Sequence, residues 1–551
     1  MKTTTFSMKE LKTLSYPLVV VGGGLAGLVA ATKSAREGQK VAVISKKKPG
    51  RESSTAYSMG RFSVSGTKMT EKEHLEKTLQ TGEHINDREL LEKMVEKAPE
   101  TLECLREELN LNFSPHDMGY MVADGEKPLP GANLMEKIVY KSMEEENIDF
   151  FSDYLPLELV EKENKCGGLL ALDKNGELIL FRSRVLLLAT GGFAGAFINT
   201  DNPGSMMGEG LILGYRAGCA LRDLEFVQFY PLGFREEGLP AFIAPPRYPT
   251  TALLYNDSGE DLIKKHLGKG WDINSATISK RGSLSVALEK EWKKEQVWMD
   301  LTTCEEKDWQ GVNSKPLYDR YNFDFTQQPF RVGPTAHFTV GGISIDSNLN
   351  TGIEGLFAAG EVAGGLHGAD RMGGNALTEA AMFGLEAGEK MSHYAGDNIG
   401  YLFEKDEEIS FKNPILSLFI DGRFNLPPTL ADIDYREFLD ELKELYWQGL
   451  NPIRTERSLA KSFEKLELYR KKILPPESLD KEETIDLDSI DKLKKLISIE
   501  MASSLLEICI KSAELRKETR GGHYRKDFPK TDVSYNKNIY WQQGRYFFRD
   551  S

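Results

Sequence analysis

Starting at Leu18, the stretch LVVVGGGLAGLVAATKSAREGQKVAVISKK sets an apolar run, a glycine cluster, an alanine-rich segment of helical period and a second apolar run in succession. Short apolar runs bounded by glycine predict buried strands, and the period between them predicts a helix, so the pattern opens a βαβ unit. Polar stretches of helical period follow over 70–109 and 134–145. A hairpin-like passage over 164–176 then leads into a further buried strand at 185–189. From 233 to 332 Pro, Tyr, Trp and charge become frequent and no similar glycine turn recurs, so the stretch reads as an inserted domain. Glycine density returns over 333–388. Beyond about residue 406 Leu, Lys and Glu dominate, and helical period over 458–472 and 488–517 predicts a terminal helical domain. The aromatic end, 527–551, reads as irregular, and no internal repeat or low-complexity tract is present.

Composition narrows the classes. A length of 551 residues exceeds one compact domain and predicts two or three, with enough core to enclose a cofactor. Hydrophobic residues at 40% and charged residues at 28% are ordinary, while a formal charge of −14 argues against a general nucleic-acid binder. An anionic substrate would then need a local basic site. The five cysteines, at 104, 166, 219, 304 and 509, form no CxxC pair and no spacing suited to zinc or an iron–sulfur cluster. They are expected to be reduced and structural, and no metal site is expected. Met1 to Tyr16 lacks the apolar core and cleavage site of a signal peptide, and no apolar run reaches the roughly 20 residues that span a bilayer. The expectation is a cytoplasmic protein, with any membrane association made through partner subunits.

Gly22, Gly24 and Gly27 place GxGxxG between the strand ending at Val21 and a helix that begins near Leu25 and Ala26. The first glycine permits a tight turn, the second lets backbone approach a pyrophosphate, and the third lets helix pack on strand; the helix N-terminus faces the anion. The motif alone is weak, but strand, helix and second strand agree with it. The acidic residue that usually holds a ribose at the end of the second strand is missing, because Ser45 and Lys46 stand there. That argues against a plain NAD-dependent dehydrogenase.

VAVISKKKPGRESSTAYSMG resembles the succinate dehydrogenase and fumarate reductase flavoproteins, from their second strand into the flavin attachment loop. LLLATGGFAG at 186–195, GPTAHFTVGGI at 333–343, LFAAGEVAGGLHGADRMGGNALTEAAMFGLEAG at 356–388 and RKETRGGHYRKDFPKTD at 516–532 are similar to later segments of that family. L-aspartate oxidases and soluble fumarate reductases share much of the pattern. The resemblance implies an α/β fold with a Rossmann-like FAD-binding domain in two parts, 1–232 and 333–400. An inserted α+β capping domain at 233–332, a helical domain at 401–526 and a tail at 527–551 complete it. FAD is the implied cofactor, held by Gly22, Gly24, Leu25, Ala26, Gly27, Ser45 and Lys46, and by Ser53, Ser54, Thr55 and Gly60 of the loop. Ala189, Thr190 and Gly191 join them, with Glu361 near the ribose and Arg371, Asn375, Ala376 and Leu377 beside the flavin. Where membrane-bound members carry a histidine bonded to the flavin, this chain has Ser54 before Thr55. A hydroxyl cannot make that bond, so the FAD is expected to be noncovalent. Met59 and Arg61 replace residues of the AQGG that follows in the family.

In this family a hydride passes between flavin N5 and a carbon–carbon bond activated by carboxylates, while a separate group moves the proton. Orientation and preorganised charge supply most of such a rate. His337 in PTAHFTVGG and Arg371 in HGADRMGG match the family's carboxylate-binding histidine and arginine. A guanidinium suits that task as a planar, always-charged fork. A lone histidine in a strand is more often structural and a lone arginine more often solvated, so the motifs carry this assignment. His367 is expected to pack beside the flavin. The family's TEGxRGEGG loop, source of a Thr–Glu pair and of the proton-delivering arginine, is replaced by AFIAPPRYPTTA. Arg247 becomes the catalytic candidate there, with Tyr248 the other polar option. Tyr230, in FVQFYPLGF, stands where the family has a substrate-contacting histidine. One end of the substrate is thus expected to be bound as a carboxylate and the other differently, as in a monocarboxylate enoate or a dicarboxylate with a larger group. The implied activity is FAD-dependent oxidation or reduction of CH–CH groups. The alternatives are an adenylylsulfate reductase-like or amino-acid oxidase-like enzyme, or a flavin electron-transfer subunit whose pocket has decayed. Since no haem CxxCH or cluster motif occurs, an iron–sulfur or other electron-transfer subunit is the expected partner.

Overall fold

The computed structural model describes residues 4–7, 11–123, 125–127, 129–237, 239, 248–310, 323–398, 400–403, 408–420, 423–424, 434–473 and 487–550. Lys12–Val21, Val41–Ser45 and Ile148–Ser152 lie parallel, and Leu178–Leu188 flanks the first of them on its other side. Val19, Val20, Val43 and Leu187 are completely buried. A strand covered on both faces needs no polar alternation, which is why these segments read as unbroken apolar runs. Leu178–Leu188 serves two partners in succession: its first half pairs antiparallel with Lys165–Leu172, its last residues parallel with Leu356–Ala358. Leu155–Lys162 completes the seven-stranded sheet. The hairpin signal over 164–176 is the turn at Glu163 and Asn164, φ +51° and +63°, together with the next reversal into Leu178. Helix Leu25–Arg36 covers the sheet and packs against the long helix Asn375–Asp397, which belongs to the glycine-rich return.

The polar stretch over 70–109 is two helices, Glu71–Thr81 and Arg88–Leu109, separately capped by Thr70 and Asp87. The insert builds a four-stranded antiparallel sheet in the order Val227–Phe234, Phe330–Thr339, Val297–Asp300 and Leu253–Asn256. Helices Leu262–Leu267, Ile273–Ser279 and Arg281–Trp292 accompany it. It has its own core, including Leu232, Phe234, Leu284, Leu288 and Phe330. Its two bordering strands run through the sequence junctions at 232/233 and 332/333, so the insert is joined to the rest by continuous strands and not by loops.

Tyr435–Leu450, Glu456–Ile473 and Leu487–Leu515 pack together as the C-terminal helical part. The tail departs from the irregular reading: Lys537–Gln542 and Arg545–Asp550 form a hairpin in a five-stranded sheet with Leu221–Arg222, Gly342–Ser344 and Ala363–Gly364. The buried residues Ile539, Tyr540 and Trp541 find their neighbours in that distant sheet and, for Trp541, also at Ser512 of the helix Leu487–Leu515, so local pattern did not mark them as strand. The whole is a mixed α/β architecture. No helix among the described residues is long and apolar enough to cross a membrane.

Candidate active site

Above the parallel strands lies a cavity of about 930 Å³ whose wall takes in the glycine turn, the glycine-rich return and the insert. At Gly22 φ is +126°, and a Cβ there would lie 2.1 Å from the Ala189 carbonyl oxygen; at Gly27 it would lie 2.1 Å from the Gly22 carbonyl oxygen. Only glycine is accommodated at these two places. The turn brings the backbone of 22–24 to the cavity and starts helix Leu25–Arg36 without a side-chain cap. Helix Asn375–Asp397 also begins without one, after Gly374, and its first turn lines the same wall. Two helix starts without side-chain caps, each the positive end of its helix, suit an anionic ligand.

Gly22, Gly24, Leu25, Ala26, Ser45, Lys46, Ser53, Ser54, Thr55, Ala189, Thr190, Gly191, Glu361, Arg371, Ala376, Leu377 and His337 all line this cavity. Gly27 sits beneath the turn, and Gly60 packs on Pro130. Asn375 faces away: its amide is held by His74 at 2.8 Å and Thr78 at 3.0 Å, in the buried interior. His367 is also buried off the wall, bonded to Glu379 at 2.9 Å and edge-on to Phe338. Arg247 lies outside the described residues. Tyr248 is buried behind Tyr230, the two hydroxyls 3.0 Å apart, and does not reach the cavity. Glu361 accepts from the Thr339 N–H at 3.0 Å and its hydroxyl at 3.1 Å, and removal from water pushes its carboxyl up to about 7. Lys46 is paired with Glu209 at 2.7 Å.

Facing the insert, His337 Nδ1 meets Asp201 at 2.7 Å, which leaves Nε2 for another partner. Arg371 donates to Gln228 at 2.7 Å and to the Met372 carbonyl at 3.2 Å, with its guanidinium 4.7 Å from the Phe338 ring centre. Arg281, from the first turn of an insert helix, donates to the Arg371 carbonyl at 3.0 Å. The Nε atoms of both arginines are buried and have no acceptor among the described residues. Burial, then the nearby Arg281 charge, pulls the Arg371 guanidinium down to about 10. Tyr230 stands 6.1 Å from His337 between ring centres, and burial lifts its hydroxyl to about 12. Arg281 was not foreseen. Its one sequence signal is a cation in a helix first turn, where the dipole opposes it.

A sequence profile of the FAD binding domain matches residues 18–377, and one of the fumarate reductase flavoprotein C-terminal region matches 439–546. The chain belongs to the fumarate reductase and succinate dehydrogenase flavoprotein family. An uncharacterized FAD-dependent oxidoreductase of Methanocaldococcus jannaschii is 27% identical over 95% of each chain. One chain of the fumarate reductase (CoM/CoB) of Methanothermobacter marburgensis is 26% identical over 96% of this protein and 97% of its own length. The solved E. coli quinol fumarate reductase chain superposes with a TM-score of 0.82 at 24% identity, covering 98% of this chain and 97% of that one.

FAD is the cofactor of this flavoprotein family, and the wall fits it. The glycine turn admits no side chain, two uncapped helix starts face inward, and the buried Thr190 hydroxyl on the wall lacks a partner among the described residues.

Proposed function

We propose that this flavoprotein catalyses oxidation or reduction of a carbon–carbon bond beside a carboxylate, and exchanges electrons with an iron–sulfur or other electron-transfer subunit. The turn at 22–24 and the helix start at Leu25 hold the FAD pyrophosphate, Glu361 the ribose, and Ala376 and Leu377 the ring system. Bound FAD supplies the hydride chemistry. Arg371 and His337 fix the substrate carboxylate, with Gln228 holding the guanidinium and Asp201 the imidazole. In the reducing direction a carbon next to the hydride acceptor needs a proton. Arg281, anchored on the Arg371 carbonyl, is the group we assign to deliver it and to be reprotonated from solvent. The insert covers this side and limits water.

The observation that carries the reading is that buried Arg371 and half-buried Arg281, joined through the Arg371 carbonyl, each carry a buried Nε–H that meets no acceptor among the described residues. Such an arrangement is costly unless an anion completes it. Truncating one charged contact costs about 2–5 kcal/mol, hence roughly 30-fold or more in rate. Reduced holoprotein should be reoxidised by an enoate, and Arg281→Gln and Arg371→Gln should each slow that step by at least this factor while retaining flavin. If no carboxylate in a panel of enoates reoxidises the wild-type flavin, the protein is an electron carrier and the reading fails.

A further inference from the structure

We infer that Glu83 and the C-terminal turn 520–522 are positioning elements for Arg371: together they set the loop from which its guanidinium reaches the cavity. The inference rests on the carboxylate reading of Arg371 and adds the residues that act through that arginine. The connection 82–87 joins helices Glu71–Thr81 and Arg88–Leu109 and runs beside 365–369. The Ala369 N–H donates to the Gly82 carbonyl at 2.9 Å, the Asn86 amide to the Leu366 carbonyl at 2.9 Å, and the Asp87 N–H to the Gly365 carbonyl at 2.8 Å. Within that connection Glu83 and His84 both take left-handed backbone, φ +50° and +60°. Residues with side chains rarely adopt it, and two in succession persist only where the surroundings hold them. For Glu83 the C-terminal turn is what holds it. Arg520 donates to the Glu83 carbonyl at 3.1 Å, and the Gly521 N–H donates to the Glu83 carboxylate at 2.8 Å. The Gly522 N–H then donates to the Ala369 carbonyl at 2.9 Å. A Cβ on Gly521, φ +48°, would lie 2.3 Å from that same carbonyl oxygen, so the turn is seated on the loop with no room for a side chain.

The loop 368–371 is thereby clamped at both ends. At Arg371 the backbone carbonyl accepts from Gln228 at 2.9 Å and from Arg281 at 3.0 Å. At Ala369 the backbone is held by Gly82 and Gly522. Arg520 is buried and paired with Glu518 at 2.7 Å, which Arg516 also engages at 3.1 Å, so this second clamp is rooted in the C-terminal part. Glu83 and Gly521 line the same cavity as Arg371. Two roles for Glu83 have opposite signs. A carboxylate acting through its charge repels an anionic substrate, so its removal would strengthen binding. A carboxylate acting through the Gly521 N–H keeps Arg371 in place, so its removal weakens binding.

The test uses anaerobically reduced holoprotein, with fumarate and crotonate as the oxidants. Glu83→Ala should slow reoxidation by whichever enoate the wild type uses by about 100-fold, the scale of a displacement of about 1 Å in a group that orients substrate. Flavin content and reoxidation by molecular oxygen, which needs no carboxylate site, should be unchanged. Glu83→Gln keeps an oxygen for the Gly521 N–H and should react like the wild type. A crystal structure of Glu83→Ala should show Gly522 and Ala369 parted and the 2.7 Å contact of Arg371 with Gln228 broken. If Glu83→Ala does not fold, Glu83→Asp, a methylene shorter, carries the test and should show a smaller loss of the same selectivity. Unchanged or faster enoate reaction in the shortened variant, an unmoved loop, or Glu83→Gln as slow as Glu83→Ala overturns the inference. If the loop is displaced while no enoate reoxidises even the wild-type flavin, the reaction assignment alone falls. If enoates react and need Arg371, yet Glu83→Ala matches the wild type, this inference alone falls.

Discussion

Ser54 occupies the wall position where membrane-bound members of the family carry the flavin-bonding histidine, and its hydroxyl donates to Asn202 at 2.7 Å. A serine hydroxyl has no imidazole nitrogen to make that bond, so acid precipitation of the yellow protein should leave the colour in the supernatant. Colour retained on the pellet would disprove a noncovalent flavin. Glu361 makes a pH prediction. Its carboxyl sits at about 7 in the folded protein against about 4.5 for an ordinary glutamate, because the wall strips its water. The folded state therefore binds the extra proton, and this group favours folding below about 4.5 and loses that contribution as pH rises to about 7. With the flavin removed, melting temperature should fall over that window, and Glu361→Gln should flatten the fall. Parallel curves for the two proteins would refute the burial argument. Among single residues, His337 and Arg371 were legible because motifs surround them, whereas Asn375 sits in an equally clear motif yet turns inward to His74 and Thr78. A motif places a backbone; packing chooses where the side chain points.

The glycine turn and its helix act as one element. A methyl group at Gly27 would meet the Gly22 carbonyl at 2.1 Å and Val20 at 3.2 Å, both fixed by the sheet. Gly27→Ala must push helix Leu25–Arg36 off the strand, at about 1–3 kcal/mol or more, and should yield colourless protein of lowered melting temperature. Gly396→Ala is the control: it lies in helix Asn375–Asp397 with open space where the methyl would go, and should stabilise by about 0.5–1 kcal/mol. Equal flavin content in the two variants would show that the close contact at Gly27 is unimportant. Elements whose signal is local were legible: helical period over 458–472 corresponds to Glu456–Ile473, and that over 488–517 to Leu487–Leu515. The tail hairpin was not, because its strands are stabilised by partners at Leu221–Arg222 and not by their own sequence.

Across the whole molecule, Arg516 ties three separate parts together. Fully buried, it donates to Glu225 at 2.6 Å, to Glu518 at 3.1 Å, and to the carbonyls of Tyr535 and Lys537 at 3.1 and 2.9 Å. Breaking a buried ion pair from one side leaves an uncompensated charge, at about 3–5 kcal/mol. Arg516→Met should therefore lower thermal stability strongly, and Glu225→Gln added to it should recover part of the loss; no recovery would mean that the stranded carboxylate is not what costs. The same scale separates what the chain reveals alone from what it does not. The βαβ opening, the glycine turn, the family and the meeting of His337 and Arg371 in one cavity wall are legible in the sequence, because they rest on local period, on glycine's conformational range and on contiguous motifs. That Arg281 of the insert sits on Arg371, 90 residues away, was decided only by the tertiary structure. That Arg61 lines the same cavity, and that the Tyr230–Tyr248 pair closes behind it, were decided the same way. Distances between residues remote in the chain are set by how sheets join and cores close, and no local pattern of hydrophobic and polar residues encodes them.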